Sequence, residues 1–145
     1  MPEQSYAGRE LDIFAHAQRW KRYWSAQLRP YIAGDVLEVG AGIGANTGLF
    51  RAFTKGRWLC LEPDPQLAAQ IRGQEVQVGT LRDVAAQRFD TILYIDVLEH
   101  IEDDAGELQQ AAELLRPGGR IVVLAPAHQS LFSPDRKSTR LNSSH

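Results

Sequence analysis

The feature that most constrains this chain is a short apolar run that ends in three closely spaced glycines. Residues 36–44 read VLEVGAGIG, with Gly40, Gly42 and Gly44 at intervals of two residues. Glycine takes backbone angles that a Cβ disfavours, and it lets a ligand come close to the main chain. We therefore predict a buried strand, a tight turn, and a helix whose free N–H groups face a ligand.

Strand-like and helix-like segments alternate along the chain. The predicted strands are DVLEVG, RWLCLE, EVQVG, FDTILYID and RIVVLAP. The predicted helices are ELDIFAHAQRWKRYWSAQL, ANTGLFRAF, a segment from Pro63 to about Ile71, and DDAGELQQAAELL, which the turn RPGG follows. Such alternation produces parallel βαβ units, and apolar strands suit a sheet covered on both faces. The predicted fold is therefore α/β, a Rossmann-like doubly wound parallel sheet in the order 3-2-1-4-5 with an N-terminal helix.

The N-terminal helix carries an apolar stripe. Ile13, Ala17, Trp20 and Trp24 recur at helical spacing, which predicts a face buried in the core. The aromatic and basic cluster RWKRYW suits stacking on nucleic acid, but the stripe favours packing. A further hypothesis is that this helix caps the cleft and turns Tyr23 or Trp20 toward a ligand cation.

Size, charge and cysteine content exclude several function classes. The chain has 145 residues and a formal net charge of -2, which gives no general attraction to nucleic acid or anionic lipid. Its single cysteine, Cys60, is predicted to be a buried strand thiol. The polar start and the lack of a long apolar run predict a cytoplasmic protein without a membrane or nucleic-acid partner. The oligomeric state is not indicated.

We divide the chain into three parts. Residues 1–34 are expected to form an N-terminal helical cap segment, and residues 35–134 a Rossmann-like ligand-binding domain. Residues 135–145 read DRKSTRLNSSH, which is basic and serine-rich and has no apolar period. The stretch KSTRLNSSH resembles one reading frame of a sequencing-library adapter, so we predict a non-native, disordered tail.

Two classes of ligand fit the glycine loop. Gly40, Gly42 and Ala45 match the dinucleotide pattern G-x-G-x-x-G/A, and Glu62 is the acidic residue expected about 20 positions further on. An NAD(P)-binding, oxidoreductase-type domain is one interpretation, although the chain has no evident Tyr-x-x-x-Lys pair for hydride transfer. A non-catalytic cofactor-binding module is another.

Charge favours a cationic ligand. Glu38 and Asp96 are predicted to converge on one crevice, where two carboxylates would repel a pyrophosphate. S-adenosylmethionine carries an ammonium and a sulfonium group. Its ribose also suits a paired acceptor such as Glu62, at the end of the second strand. We therefore predict S-adenosylmethionine as the cofactor.

Four motifs in register make a family resemblance specific. VLEVGAGIGANT, LEPD, DTILYIDVLEHIEDD and LLRPGGRIVVLAP resemble, in order and spacing, the class I S-adenosylmethionine-dependent methyltransferases, and most closely their small-molecule branch. The resemblance runs from about Val36 to Pro126. It implies methyl transfer to a small-molecule acceptor without a metal. It also implies that the last two strands of the family fold are lacking here.

The resemblance assigns the cofactor-binding residues. Its methionine end would lie at the glycine loop, its ribose at Glu62 and its adenine beside Pro63. The glycine and aspartate that reach the adenine amine in much of the family are replaced here by Thr80 and Leu81. The full expected set is Glu38, Gly40, Ala41, Gly42, Gly44, Glu62, Pro63, Thr80, Leu81, Asp96 and Val97.

Each acidic residue also has a structural interpretation. Glu38 would order the turn through its N–H groups, Glu62 would pair with Arg57 or Arg82, and Asp96 would cap a helix.

The histidines are open candidates for base catalysis. His100 and His128 lie after predicted strands on the expected substrate side, and histidine is the commonest general base near neutral pH. A lone histidine is more often structural, so no catalytic residue is assigned. His16 is expected on a helix surface.

Overall fold

The structure is a computed structural model that describes residues 6–125. This range contains nine α-helices and β-strands, and short 3-10 turns connect several of them. In chain order they are α1 (Tyr6–Leu28), β1 (Val36–Val39), α2 (Thr47–Phe50), β2 (Trp58–Glu62), α3 (Pro65–Ala68), β3 (Glu75–Val78), β4 (Phe89–Ile95), α4 (Asp104–Glu113) and β5 (Leu115–Leu124).

The strands form one parallel sheet in the order β3-β2-β1-β4-β5. This confirms the predicted fold class and strand order. The order reverses at β1, whose neighbours are β2 and β4, and ligands of such sheets bind beyond the carboxyl ends of the strands at this point. The glycine loop follows β1 and lies there.

Alternation along β1 divides its side chains between the two faces of the sheet. Leu37 and Val39 belong to an apolar cluster that includes Val84, from the turn after β3, and Ala111 of α4. Glu38 lies between them in sequence, and its carboxylate contacts Thr47 of α2. β1 and β2 are therefore buried completely, as predicted for central strands.

The predicted turn RPGG is wrong, because these residues belong to β5. Leu115 pairs with Phe89 and Arg120 pairs with Thr91, so residues 116–119 bulge out opposite Asp90. The Arg116 guanidinium spans the bulge, donating 2.8 Å hydrogen bonds to Asp35 and Asp90. Pro-Gly-Gly suits a bulge as well as a turn, since both need unusual backbone angles.

Two predicted helices are shorter than expected. The helix after the glycines ends at Phe50 and continues as a 3-10 turn over Arg51–Phe53. The helix predicted from Pro63 begins at Pro65, because Asp64 is its N-cap and accepts a 2.8 Å bond from the Gln66 N–H.

Within the described residues, 6–30 belong to one compact unit, and a second compact unit begins at Tyr31. The helix of the first unit is confirmed as α1. The predicted burial of its stripe is wrong for three of its four members, because Ile13 is 70% exposed, Trp20 is 61% exposed and Ala17 is exposed as well. Trp20 instead stacks on Tyr23, with ring centroids 5.7 Å apart. Apolar side chains such as Leu11 and Phe14 are also exposed, so they do not form one buried face.

Within residues 6–125, every helix is too short or too polar to cross a bilayer. The predicted tail and Pro126 lie outside the described residues.

Candidate functional site

The glycine loop takes the conformation that its sequence predicts. Gly40, Gly42 and Gly44 have φ angles of 68°, 60° and 87°, in the left-handed region that side chains disfavour. The N–H groups of Gly40 and Ala41 donate to the Leu61 carbonyl, at 2.8 and 3.1 Å. The loop is thus fixed to the end of β2.

Gly40 is also required by close packing between strand ends. A Cβ at this position would lie 2.6 Å from Cγ2 of Val97, just after β4. Ordinary carbon contacts are about 3.5–4.0 Å. The glycine therefore lets the residues after β1 and β4 approach each other at the point where the strand order reverses.

Glu62 is held rigidly at the end of β2. It is 6% exposed, and its two carboxylate oxygens each accept a 2.8 Å bond from a main-chain N–H, Oε1 from Gly42 and Oε2 from Asp64. The alternative that Glu62 pairs with Arg57 is wrong, because the Arg57 guanidinium binds Glu75. No ion pair joins Glu62 to Arg82 within residues 6–125.

A cavity of about 410 Å³ opens beside this carboxylate. Predicted residues contribute Gly40, Glu62, Pro63, Thr80, Leu81, Val97 and His100 to its lining. The remaining lining residues were not predicted, and they are Val39, Leu61, Gly79, Ile101 and Glu107. Val39 ends β1 and Leu61 lies one residue before the end of β2, positions that the apolar strand pattern marks in the sequence. Glu107 lies within α4, where only tertiary structure brings it to the cavity.

Five predicted cofactor residues do not line this cavity: Glu38, Ala41, Gly42, Gly44 and Asp96. The three loop residues among them lie directly beyond Gly40, which does line it. The other two, Glu38 and Asp96, were predicted to converge on one crevice, and neither lines the cavity.

Glu38 points into the protein interior. It is 2% exposed, and Oε1 accepts hydrogen bonds from the Thr47 hydroxyl at 2.5 Å and the Trp58 indole at 3.2 Å. Burial raises the pKa of Glu38, while these two hydrogen bonds oppose the increase. The neighbouring Cys60 is a buried free thiol, as predicted. Burial and the Glu38 charge raise its pKa to about 11. Glu38 thus orders α2 against the sheet through side chains, not through loop N–H groups.

Thr47→Val tests how strongly this cluster stabilises the fold. We expect a loss of about 1–3 kcal/mol in the free energy of unfolding, because a buried carboxylate loses its hydroxyl donor. The loss should be larger at pH 8 than at pH 5. The pKa of Glu38 is raised in the folded state, so the free energy of unfolding decreases as the pH rises through that pKa. The Thr47 hydroxyl stabilises the charged form of Glu38, so its removal makes this decrease larger.

Urea unfolding at the two pH values measures this effect. Thr47→Ser is the matched control, since it keeps the hydroxyl. Equal losses in the two variants, or a Thr47→Val loss that does not change with pH, would contradict the role given to the hydrogen bond.

Asp96 has the only positive φ, 55°, found at a non-glycine position within residues 6–125. The prediction that it caps a helix is wrong: Val97 holds the N-cap position of the following turn, and the Asp96 N–H donates to Leu124. Its side chain is exposed. A strained angle just after β4 is typical of a residue whose position serves a site.

Glu107 and Tyr94 form a polar pair at the cavity. The Tyr94 hydroxyl donates a 2.9 Å hydrogen bond to Oε1 of Glu107. Tyr94 is completely buried on β4, and burial together with the Glu107 charge raises the pKa of its phenol. The phenol therefore stays protonated near neutral pH and remains a donor. Among the described lining residues, Glu62 and Glu107 carry the carboxylates.

His100 is the one histidine candidate that the structure places at the cavity. Its imidazole is 78% exposed and lies 3.7 Å from the Glu99 carboxylate. His128 lies outside the described residues. His16 is exposed on α1, as predicted. Within residues 6–125, no group of three or more metal-ligating side chains is arranged to hold a metal ion.

Several known proteins with related sequences are named as methyltransferases. Demethylmenaquinone methyltransferase of Tropheryma whipplei is 30% identical over 126 residues, which cover 82% of this chain and 53% of the relative. A probable S-adenosylmethionine-dependent methyltransferase of Mycolicibacterium smegmatis is 31% identical over 117 residues, which cover 77% and 44%. The chain spans about half the length of the curated relatives it matches.

Solved structures share the fold, and a family model covers most of the chain. The amino pentose methyltransferase CalS10 of Micromonospora echinaspora, solved with bound S-adenosylmethionine, superposes with a TM-score of 0.66 at 18% identity, over 92% of this chain and 62% of that protein. The N-methyltransferase NodS of Bradyrhizobium japonicum gives 0.61 at 21% identity, over 72% and 60%. A family model described as a methyltransferase domain matches residues 13–143, so the chain belongs to the methyltransferase domain family.

Proposed function

We propose that this chain binds S-adenosylmethionine and transfers its methyl group to a small-molecule acceptor. One observation carries the proposal: the Glu62 carboxylate is held against the glycine loop by the Gly42 N–H and faces the cavity at the switch point of the sheet. Two adjacent acceptor oxygens suit the paired hydroxyls of a ribose. Membership of the methyltransferase domain family supports the same ligand.

We propose that the parts of the cofactor lie one after another along the glycine loop and the cavity. The loop of Gly40, Ala41, Gly42 and Gly44 would hold the methionine end. Glu62 would bind the ribose. The adenine would lie among the largely apolar walls that Pro63, Leu81, Val97 and Ile101 provide, with Thr80 at its edge.

The two acidic residues outside the cavity lining receive different roles. We place Asp96, exposed at the end of β4, near the methionine portion. Glu38 would act on the methionine end only through the position of the loop and α2, because its carboxylate is buried and hydrogen bonded.

The proposed methyl transfer mainly requires the protein to align the acceptor with the cofactor. A sulfonium activates its methyl group for displacement by an acceptor lone pair in line with the departing sulfur. The chain would contribute orientation of the two reactants and exclusion of water. His100, at the rim of the cavity, is the described candidate for accepting an acceptor proton.

The acceptor is proposed only by class. Similar proteins named for their activities include ubiquinone biosynthesis O-methyltransferases of Xanthomonas axonopodis and Xylella fastidiosa, which match this chain at 29% and 31% identity. Small-molecule acceptors are also named for the amino pentose methyltransferase. We infer a small molecule here, without choosing between oxygen, nitrogen, carbon and sulfur.

Calorimetric titration tests the proposed cofactor. We expect S-adenosylhomocysteine and S-adenosylmethionine to bind with dissociation constants between about 1 μM and 1 mM, the usual range for enzyme substrates. NAD and NADP are the comparison ligands, and neither should bind or compete. Binding of either dinucleotide in place of the sulfur compounds would establish the oxidoreductase-type alternative. Cofactor binding without methyl transfer to any acceptor tested would favour a non-catalytic module.

A further inference from the structure

A carboxylate that the glycine loop does not explain faces the cavity from α4. Glu107 lies in the lining together with Gly79, Thr80 and Leu81, which follow β3. It is half-buried, whereas most of the wall around it is apolar. A carboxylate in such a place needs donors, since burial without hydrogen bonds is unfavourable.

The first carboxylate that follows β3 in sequence, that of Asp83, already accepts a hydrogen bond. Oδ2 of Asp83 accepts a 2.8 Å bond from the Thr80 N–H, and Asp83 does not line the cavity. The same bond occupies the Thr80 N–H. A nucleoside base in this part of the cavity therefore meets neither the Asp83 carboxylate nor the Thr80 amide.

Tyr94 fixes the direction of the Glu107 carboxylate. The completely buried phenol of β4, an interior strand of the sheet, donates to Oε1 at 2.9 Å. A carboxylate accepts several hydrogen bonds, so this contact orients the group without saturating it. An oriented acceptor in a largely apolar wall distinguishes ligands that donate from those that do not.

We propose that Glu107 binds the exocyclic amine of the cofactor's base, so that the cavity selects a 6-amino purine over a 6-oxo purine. This inference rests on the proposed use of S-adenosylmethionine. The 6-amino group donates its N–H to the carboxylate. A 6-oxo group presents an acceptor to an acceptor, and the two repel each other. Tyr94 is a positioning residue that acts through Glu107.

The test compares S-adenosylhomocysteine with its 6-oxo analogue, S-inosylhomocysteine, by calorimetry. The wild-type chain should prefer the adenosine compound by about tenfold or more, as expected for a hydrogen bond to a charged group. Glu107→Gln should reduce that preference to about threefold or less, because the amide donates to a 6-oxo group. Glu113→Gln makes the same charge change at an exposed position of α4 and should keep the preference.

Tyr94→Phe provides a second route to the same result. Loss of the phenol hydroxyl should reduce the preference for the adenosine compound over the inosine compound, although the Glu107 side chain is still present. Thermal unfolding followed by circular dichroism checks that each variant is folded. A wild-type chain that binds both compounds equally, or a Glu107→Gln variant that keeps the full preference, overturns the role of Glu107 alone. A wild-type chain that binds neither compound overturns the proposed cofactor and this inference with it.

Discussion

Gly40→Ala should weaken binding of S-adenosylhomocysteine by about a hundredfold or more. The added Cβ would require a side chain at φ 68°, which is unfavourable by about 1–2 kcal/mol, and would overlap Val97 at 2.6 Å. To relieve the overlap, either the loop or the Val97 side chain must shift, and both residues line the cavity. A hundredfold loss corresponds to about 2.7 kcal/mol, the sum that strain and displacement together can supply.

Three further variants separate the overlap from the strain. Gly40→Ala combined with Val97→Ala removes the overlapping methyl groups and should recover part of the affinity. Gly42→Ala introduces strain at φ 60° but has no atom within 4 Å of the new Cβ. Gly48→Ala lies in α2 with open space around it and should bind within about twofold of the wild type, as alanine is tolerated in helices.

Calorimetry gives the affinities, and thermal unfolding shows whether each variant is folded. A folded Gly40→Ala variant that binds within about threefold of the wild type would contradict the packing argument. So would a loss of equal size in Gly48→Ala, because it would show that any change near the loop disturbs binding.

The parts of the fold that the sequence predicts are those that local pattern controls. Apolar runs identify all five strands, and the alternation with helices gives their parallel order. The residues of the RPGG segment suit both a turn and a bulge. The bulge is defined by pairing with Phe89 and Thr91 of β4, and Arg116 within it binds Asp35 and Asp90, all of them distant in sequence. No local pattern contains that information.

The site shows the same division between local and tertiary information. The places of Gly40 and Glu62 at the site are predictable, because Gly40 directly follows β1 and Glu62 ends β2. Glu38 was misplaced because its position on the strand sends its carboxylate toward Thr47, away from the cavity lining. Glu107 is not predictable in this way, because a carboxylate in the first turn of a helix is already explained by the helix dipole. Only the tertiary structure brings it to the cavity, where it accepts a hydrogen bond from Tyr94 of β4.

Glu62→Ala should weaken binding of S-adenosylhomocysteine by about ten- to a hundredfold. Charge-assisted hydrogen bonds of about 1.5–3 kcal/mol to the ribose would be lost. The main-chain N–H groups of Gly42 and Asp64 would lose their acceptor as well, so the loop would be less ordered. Asp64→Ala is the matched control. It removes an exposed carboxylate two residues away whose function is to cap α3, and it should bind the ligand about as tightly as the wild type.

A comparison of ligands separates ribose binding from loop order. If Glu62 binds the ribose, the wild type should discriminate against S-adenosylhomocysteine that lacks the 2′- or 3′-hydroxyl, and Glu62→Ala should show no such discrimination. The coupling between side chain and hydroxyl is then obtained from the four affinities, as in a double-mutant cycle. If Glu62 only orders the loop, the variant loses affinity equally for the complete and the deoxy ligand. A coupling free energy near zero would contradict the ribose contact, on which the proposed cofactor most depends. It would not contradict the observed geometry of the loop.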